Sequence, residues 1–418
     1  MKGKWLIAGA LILAEIGICG AIITAVWAGV NVAKLSRFEF VNDRVSVTAD
    51  EEDRLTVSGP VTINVNKGDL PAYGNITVIG GSGDEIVVTA HKIAWAADTA
   101  SAQADLDQLN VIVTQTGSVI DVRVDRPNPI GTIGTHRPDT VDFTLTVPVE
   151  ASVYLVSDFG DISAKGLEGS VHIDTDFGSA VVTNVTGGGV DIRSGFGEIK
   201  LREVVADDIS ARSNLGELTL ENVKATGSIT LNTDFGLIRF TGGAAKSLNA
   251  QTNGGEVQLE SLQVKESVEA GSDFGDVRVT KVAAASYDLH SNGGVLTLQG
   301  ASGLVQMRTD FGDVIVTEAA DVTLDLKTNS GTIEFAGTLG QGPHSIQTDF
   351  GTVRLQLPET SELTFDLKTD FGRIKSDLPI TLTGDQENNH WVGEINGGGA
   401  QLNAKTNGGD ITIETLNP

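Results

Sequence analysis

Cysteine is nearly missing from this chain. The single residue, Cys19, lies inside an apolar N-terminal run, so neither an intramolecular disulfide nor a cysteine-ligated metal cluster can form. Basic residues are scarce too, 29 Lys and Arg against 55 Asp and Glu. Lys2, Lys4, Lys34 and Arg37 fall in the first 37 residues, so the rest of the chain is more acidic still. Such a surface repels nucleic acid and anionic lipid headgroups and attracts cations, which argues against a nucleic-acid role. The six histidines, His91, His136, His172, His290, His344 and His390, show no metal-ligand spacing. Met, Tyr and Pro are few, whereas glycine reaches 50 residues and Thr, Val and Asp are plentiful. That balance favours turns and strands.

Between Trp5 and Val30 only Glu15 is charged. Twenty-six residues at about 1.5 Å each span roughly 39 Å, enough to cross a hydrocarbon core of about 30 Å with some tilt. Trp5 and Trp27 fall where an interfacial aromatic belt belongs, and Leu, Ile and Val offset the cost of the carboxylate. The run is long for a signal peptide, although Lys2 and Lys4 form a basic start and Val26 and Ala28 form a weak cleavage pattern. Ile18 before Cys19 argues against lipid attachment. The expectation is a single-pass anchor in a bacterial cell membrane, over residues 5–30, with the C-terminal domain extracytoplasmic. Gly17, Ala21, Ala25 and Gly29 recur every fourth residue and would let a second helix approach closely. Glu15 reads either as a protonated or snorkelling side chain or as a contact for another membrane helix.

The chain divides into four regions. Residues 1–37 are the anchor and its flank. Residues 38–156 are rich in alternating runs such as Glu85-Ile-Val-Val-Thr89 and Val141-Asp-Phe-Thr-Leu-Thr-Val147, with one short helix expected within Ala96 to Leu109 and a loop from Pro127 to Pro138. Residues 157–375 are a repeat array, and residues 376–418 are a capping element followed by a last repeat.

The repeat is anchored by Ser or Thr, two variable residues, then Gly. That Gly falls at 160, 178, 197, 216, 236, 255, 275, 294, 312, 331, 351 and 372, with a further copy at 409, so the period is 18 to 21 residues. A fixed period of this size is the mark of a repeat architecture. The second residue after each Gly is apolar in every copy, from Ile162 to Ile411. Alternation runs on both sides of the turn but slips by one across it, which marks a corner where Gly is expected at positive φ and the hydroxyl bonds free backbone groups. The predicted fold is all-β, a β-solenoid of about 12–13 coils of 18–21 residues, with an N-terminal transmembrane helix and a strand-rich cap region. From residue 214 the turns alternate Asn and Asp: Asn214, Asp234, Asn253, Asp273, Asn292, Asp310, Asn329, Asp349. Stacked on one edge, this spaces carboxylates by about 9.6 Å rather than about 4.8 Å. A 38-residue coil that puts Asp and Asn turns on opposite edges satisfies the same pattern.

No enzyme centre emerges. Asp-Phe-Gly is a magnesium motif in protein kinases, but here it recurs at successive turns without a catalytic or phosphate-binding loop. The carboxylate pair Asp310 and Asp313 repeats from coil to coil, whereas a glycosidase needs one unique pair in a cleft. Calcium-binding repeats of nine residues have half this period, and Asn or Phe stands where a ligand carboxylate is needed. No catalytic, cofactor-binding or metal residue is expected.

The stretches Val57-Ser-Gly-Pro-Val61, Val87-Val-Thr-Ala-His-Lys92, Val141-Asp-Phe-Thr-Leu-Thr-Val-Pro148 and the Ser/Thr-Asp-Phe-Gly-Asp turns resemble a bacterial group of membrane-anchored β-strand-repeat proteins known as candidate adhesins, a domain of unknown function. The likeness covers roughly residues 55–418 and implies fold rather than activity. The functional expectation is a non-enzymatic structural or adhesive module at the cell envelope, meeting a cell-surface glycan or an envelope protein. Two alternatives are envelope-stress sensing or capture of a cationic peptide by the acidic column, and a polysaccharide-active β-helix enzyme.

Overall fold

The computed structural model describes residues 45–66, 72–125, 138–383 and 388–416. Segment 5–30, with Glu15, Cys19 and the small-residue face Gly17, Ala21, Ala25 and Gly29, lies outside them, as do residues 127–137 of the expected loop. Among the described residues no helix is long and apolar enough to cross a membrane.

From β8 (Ser152–Ser157) and β9 (Ile162–Lys165) onward, the chain winds as two strands per coil, and eleven coils run in chain order to β28 (Val353–Leu357). From β10 to β23 each strand pairs in parallel with the strands two before and two after it, so Val153, Val171 and Val190 align, as do Ile162, Ala180 and Ile199, and the long strand Val314–Thr328 runs through two coils in the same register. The coil is therefore about 19 residues long, and the 38-residue arrangement is excluded. Why these residues make strands is visible in their burial: β10 (Val171–Thr175) alternates buried Val171, Ile173 and Thr175 with half-buried His172 and Asp174. The row two residues after each turn glycine is closed to solvent from Ile162 to Ile411 and is 5 % exposed at the end coil, at Ile374. Full burial of each such side chain stabilises by about 1.5–3 kcal/mol before entropy is counted.

Two expectations about the bends need correction. No turn glycine has a left-handed φ. The glycine is required instead by close approach: a Cβ on Gly275 would lie 2.5 Å from the carbonyl carbon of Gly255 and closer still to its oxygen. The left-handed residue stands elsewhere, six positions after the turn glycine, at Gly166, Asn184, Glu203, Asn222, Gly242, Ser261, Lys281, Gly300 and Glu318. There the inward alternation slips a second time, as in β11 (Ala180–Thr186), where Thr183 and Asn184 both face outward and Val185 is buried. These nine coils thus have one more bend than the two expected.

At both ends the order of coils departs from the order of the chain. β2 (Thr62–Val65) and β3 (Ile76–Gly81) form a coil that lies between β8/β9 and a coil made of β6 (Val119–Asp125) and β7 (Thr140–Pro148). Strands of the 38–156 region therefore continue the column. Antiparallel strands finish this end: β5 (Asn110–Thr116) on β6, β4 (Glu85–Ala96) on β7, and β1 (Val45–Thr56) on β4. On β1, Asp50, Glu51, Glu52 and Asp53 deter a foreign strand from adding to its free edge. The expected helix is α1, Thr99–Leu106, capped by the Asp98 carboxylate on the Ser101 N–H and seated by buried Ala102 and Leu106.

At the other end, β33 (Ala400–Thr406) and β34 (Ile411–Thr415) insert between β27 (His344–Thr348)/β28 and the coil of β29 (Leu363–Thr369) and β30 (Ile374–Ser376). The expected last repeat is thus the penultimate coil. The cap is antiparallel, β32 (His390–Ile395) on β29 and β31 (Ile380–Leu382) on β32.

Candidate functional site

One edge of the column carries all the Ser/Thr-x-x-Gly turns, and three ladders build it from inside outward. Innermost, the turn hydroxyl donates to the glycine carbonyl of the coil before and accepts the N–H of its own glycine: Ser272 Oγ lies 2.8 Å from Gly255 O and 2.8 Å from Gly275 N. The hydroxyls are buried, so these bonds satisfy groups that water cannot reach. Next, the residue after glycine accepts the backbone N–H of its counterpart one coil on, as Asp276 does from Val295 at 2.8 Å and Asp313 from Thr332 at 2.7 Å.

The outer ladder explains the Asn and Asp alternation. Asn253 Nδ2 donates to Asp234 at 3.2 Å, Asn292 to Asp273 at 3.1 Å and Asn329 to Asp310 at 2.8 Å. An amide between two carboxylates both separates like charges and donates to one of them. In the chain the pattern fails after Asp349, because the next turn in sequence is Asp370. In space Asn407 of the inserted coil stands between them, its side chain 3.2 Å from Asp349 and its carbonyl 3.0 Å from the Phe371 N–H. The exchange of coil order keeps the alternation intact.

Between Asp or Asn and the glycine stands the outermost row. Over the first coils it is a continuous stack, with ring centroids 5.1 Å apart for Tyr73 and Phe159, 4.8 Å for Phe159 and Phe177, and 4.7 Å for Phe177 and Phe196. After Leu215 the row opens. Phe235, Phe274, Phe311, Phe350 and Phe371 are 67 % to 90 % exposed, against 45 % to 47 % for the three stacked phenylalanines. Gly254, Gly293, Ser330 and Gly408 separate them, so the rings recur about every 9.6 Å. Sequence reasoning found the turns but gave these rings no binding role, and stacking and exposure distinguish the two halves of the row.

Elsewhere the ionisable groups serve the scaffold. Arg202 to Glu221 at 2.8 Å, Arg278 to Glu256 at 3.0 Å and Arg308 to Asp325 at 2.9 Å tie coils together on exposed faces. Hydrogen bonds from the Ser228 N–H and hydroxyl hold Asp208 below the usual carboxylate range. Burial pushes the Tyr287 phenol up, and its oxygen bonds Val282 O and Ala284 N. Burial pulls His344 below the usual imidazole range, with Nδ1 accepting from Leu324 N at 3.3 Å and Nε2 donating to Gly340 O at 3.1 Å. Among the described residues no group of three or more His, Cys, Asp or Glu is placed to hold a metal ion.

The model of a β-repeat family described as Toastrack DUF4097 matches residues 75–302 and again 247–414, well over half of the chain. The chain belongs to the Toastrack DUF4097 family. Two overlapping matches fit a repeat array in which any run of coils resembles the next. No curated protein matches the chain in sequence. Among solved structures, a candidate adhesin from Bacteroides fragilis shares 13 % identity over 65 % of this chain and 97 % of its own, with a TM-score of 0.34. A candidate cell adhesion protein from Clostridium sporogenes shares 8 % over 88 % of this chain and 100 % of its own, with a TM-score of 0.19.

The residues that sequence reasoning missed in this Toastrack chain are the left-handed ones. Their signal was present: Gly or Asn, the two residues that tolerate φ near +60°, occupies the sixth position after the turn glycine at 166, 184, 222, 242 and 300. Glu203, Ser261, Lys281 and Glu318 at the same place hid the pattern.

Proposed function

We propose that this protein is a non-enzymatic adhesive module, tethered to the bacterial cell membrane by residues 5–30 and displayed outside it, whose contact surface is the open phenylalanine edge. The observation that carries the reading is the row Phe235, Phe274, Phe311, Phe350 and Phe371, exposed at every second coil and each preceded by Asp. These rings contribute little to the fold while they face water, and a regular row of large exposed apolar side chains differs from the singly scattered ones of an ordinary surface. A rigid column holds them in line, so binding need not order the backbone that carries them.

The test is a titration of the full-length chain in detergent with cell-wall glycan fragments and with cationic peptides across a salt series. A Phe274→Ser, Phe311→Ser, Phe350→Ser variant is expected to fold and to lose binding. Unchanged binding by the variant removes this edge as the contact surface. Tethering is checked separately: without residues 1–37 the protein should leave the membrane fraction, and a truncated chain that still pellets with membranes refutes the anchor.

A second reading, peptide capture or envelope-stress sensing, is favoured by the net charge of −26. It differs in its salt response. Attraction by the whole field weakens steeply as salt rises, whereas desolvated ring contacts change little.

A further inference from the structure

We propose that the open phenylalanine edge binds a polyproline-II peptide carrying one basic residue per turn of its helix. This rests on the reading that the edge is the contact surface, and names the partner.

The periods of the edge and of such a peptide match. Adjacent coils are about 4.8 Å apart, so rings on alternate coils recur about every 9.6 Å, and five of them span roughly 38 Å. A polyproline-II helix has three residues per turn and rises about 3.1 Å per residue, which returns a side chain to the same face every 9.3 Å or so. Over four intervals the mismatch accumulates to about 1.2 Å, within the reach of ring rotation on exposed side chains. Other backbones fit worse. An extended strand returns to one face every two residues, about 6.7 Å, or every four, about 13.4 Å. An α-helix repeats every 5.4 Å or so, a little over half the ring spacing.

The gaps fit as well. Gly254, Gly293 and Gly408 lack side chains, and the Phe235 ring leans over Gly254, whose missing Cβ would be 2.7 Å from the ring edge. A row of exposed aromatic rings separated by residues without side chains is the kind of surface on which pyrrolidine rings seat. The charge decides the third residue of each turn. Asp234, Asp273, Asp310 and Asp370 are exposed and Asp349 is half-buried, and between them stand amides rather than cations. Of the cations beside the row, Arg308 is paired with Asp325 at 2.9 Å and Arg373 lies 3.9 Å from Asp410 at the end coil. An Arg or Lys at every third position of the peptide meets a carboxylate and the face of a ring together. The same row repels a second copy of this chain, which would bring its own carboxylates.

The experiment titrates the full-length chain in detergent, at low and physiological salt, with three probes of defined chemistry. One is a synthetic peptide of about fifteen residues repeating Pro-Pro-Arg, roughly five turns long. The second repeats Gly-Gly-Arg, with the same charge and spacing but no helical bias, and the third is a cell-wall glycan fragment. The expected result is binding of the Pro-Pro-Arg peptide at least about tenfold tighter than the Gly-Gly-Arg peptide. The Phe274→Ser, Phe311→Ser, Phe350→Ser variant should lose about tenfold with its unfolding midpoint unchanged. Ser330→Trp, which fills the gap between Phe311 and Phe350 from an exposed position, should weaken binding similarly without removing a ring. Equal affinity for the two peptides overturns the proposal, because charge alone then accounts for capture. Glycan binding that the phenylalanine variant loses, with no peptide binding, overturns it while leaving the edge as the contact surface. Pro-Pro-Arg binding untouched by both the phenylalanine variant and Ser330→Trp overturns the proposal and the edge reading together.

Discussion

Replacing Gly275 by alanine tests why glycine closes every turn. Its Cβ would stand 2.5 Å from the Gly255 carbonyl carbon and closer still to its oxygen, where ordinary contact begins at 3.4 Å, so the two coils must part by more than an ångström at this edge. Parting them strains the Ser272 hydroxyl bond to Gly255 O at 2.8 Å and the Phe274 N–H bond to Asn253 O at 3.0 Å. Two bonds at about 0.5–1.5 kcal/mol each, with about 1–3 kcal/mol for overpacking, put the cost at roughly 2–6 kcal/mol. A left-handed glycine would cost only about 1–2 kcal/mol to replace, and asparagine would be tolerated in its place. Gly275→Asn therefore separates the two accounts and should be at least as damaging as Gly275→Ala. Gly300 is the control, with φ +80° and nothing nearer than 3.8 Å to a Cβ, so Gly300→Asn should cost less than about 1 kcal/mol. Denaturant unfolding followed by circular dichroism gives the magnitudes. Amide exchange should place the damage in the coils on either side of Gly275, because each coil touches only its neighbours. If Gly275→Asn is tolerated where Gly275→Ala is not, or if neither shifts the midpoint, close approach is not what requires glycine here.

Glu203→Gly and Glu318→Gly relieve left-handed strain at φ +54° in each case and should each stabilise by up to about 1 kcal/mol, read from the same denaturation curves. Asn292→Asp removes the amide donated to Asp273 and leaves three carboxylates about 4.8 Å apart. The added repulsion is about 0.9 kcal/mol per neighbour in water, so the midpoint should fall at low salt and recover with added salt or on acidification below the carboxylate range. For His344 the folded imidazole sits below its unfolded value near 6.5, so its contribution to stability is complete above that pH. It is lost as pH falls through the unfolded value toward the depressed folded one, at no more than about 1.4 kcal/mol per pH unit. His344→Gln should flatten that slope, and an identical slope in the variant would show that other groups cause it.

Much of the column was legible because its rules are local. Ile162, Ala180 and Ile199 declare their inward side by period two, and Ser272 and Gly275 declare the corner by a fixed spacing. The Ala-, Asp- and Gln-rich stretch with Leu106 and Leu109 spaced by three marked the helix, and the Asp98 cap that starts it became visible only in the structure. The sheltered and open halves of the phenylalanine row were not legible, because Phe177 and Phe274 sit in nearly the same local sequence. Their difference lies one coil away, where Phe177 meets Phe159 and Phe196 while Phe274 faces Gly254 and Gly293.

By itself the sequence determined the period of 18 to 21 residues, the inward rows, the corner hydroxyl and the alternation of amide and carboxylate, while the parallel register decided that one period, not two, makes a coil. Only the tertiary structure decided which coil lies on which. It placed β2/β3 between β6/β7 and β8/β9, and β33/β34 ahead of β29/β30. It also assigned the turn glycines to close approach and the left-handed bend to the sixth residue after them. The physical reason is that parity and turn chemistry act within a few residues, where the pattern of one chain segment is sufficient to express them. The choice of a parallel neighbour is made between distant segments with nearly identical edges, and small differences in fit decide it, such as Asn407 between Asp349 and Asp370.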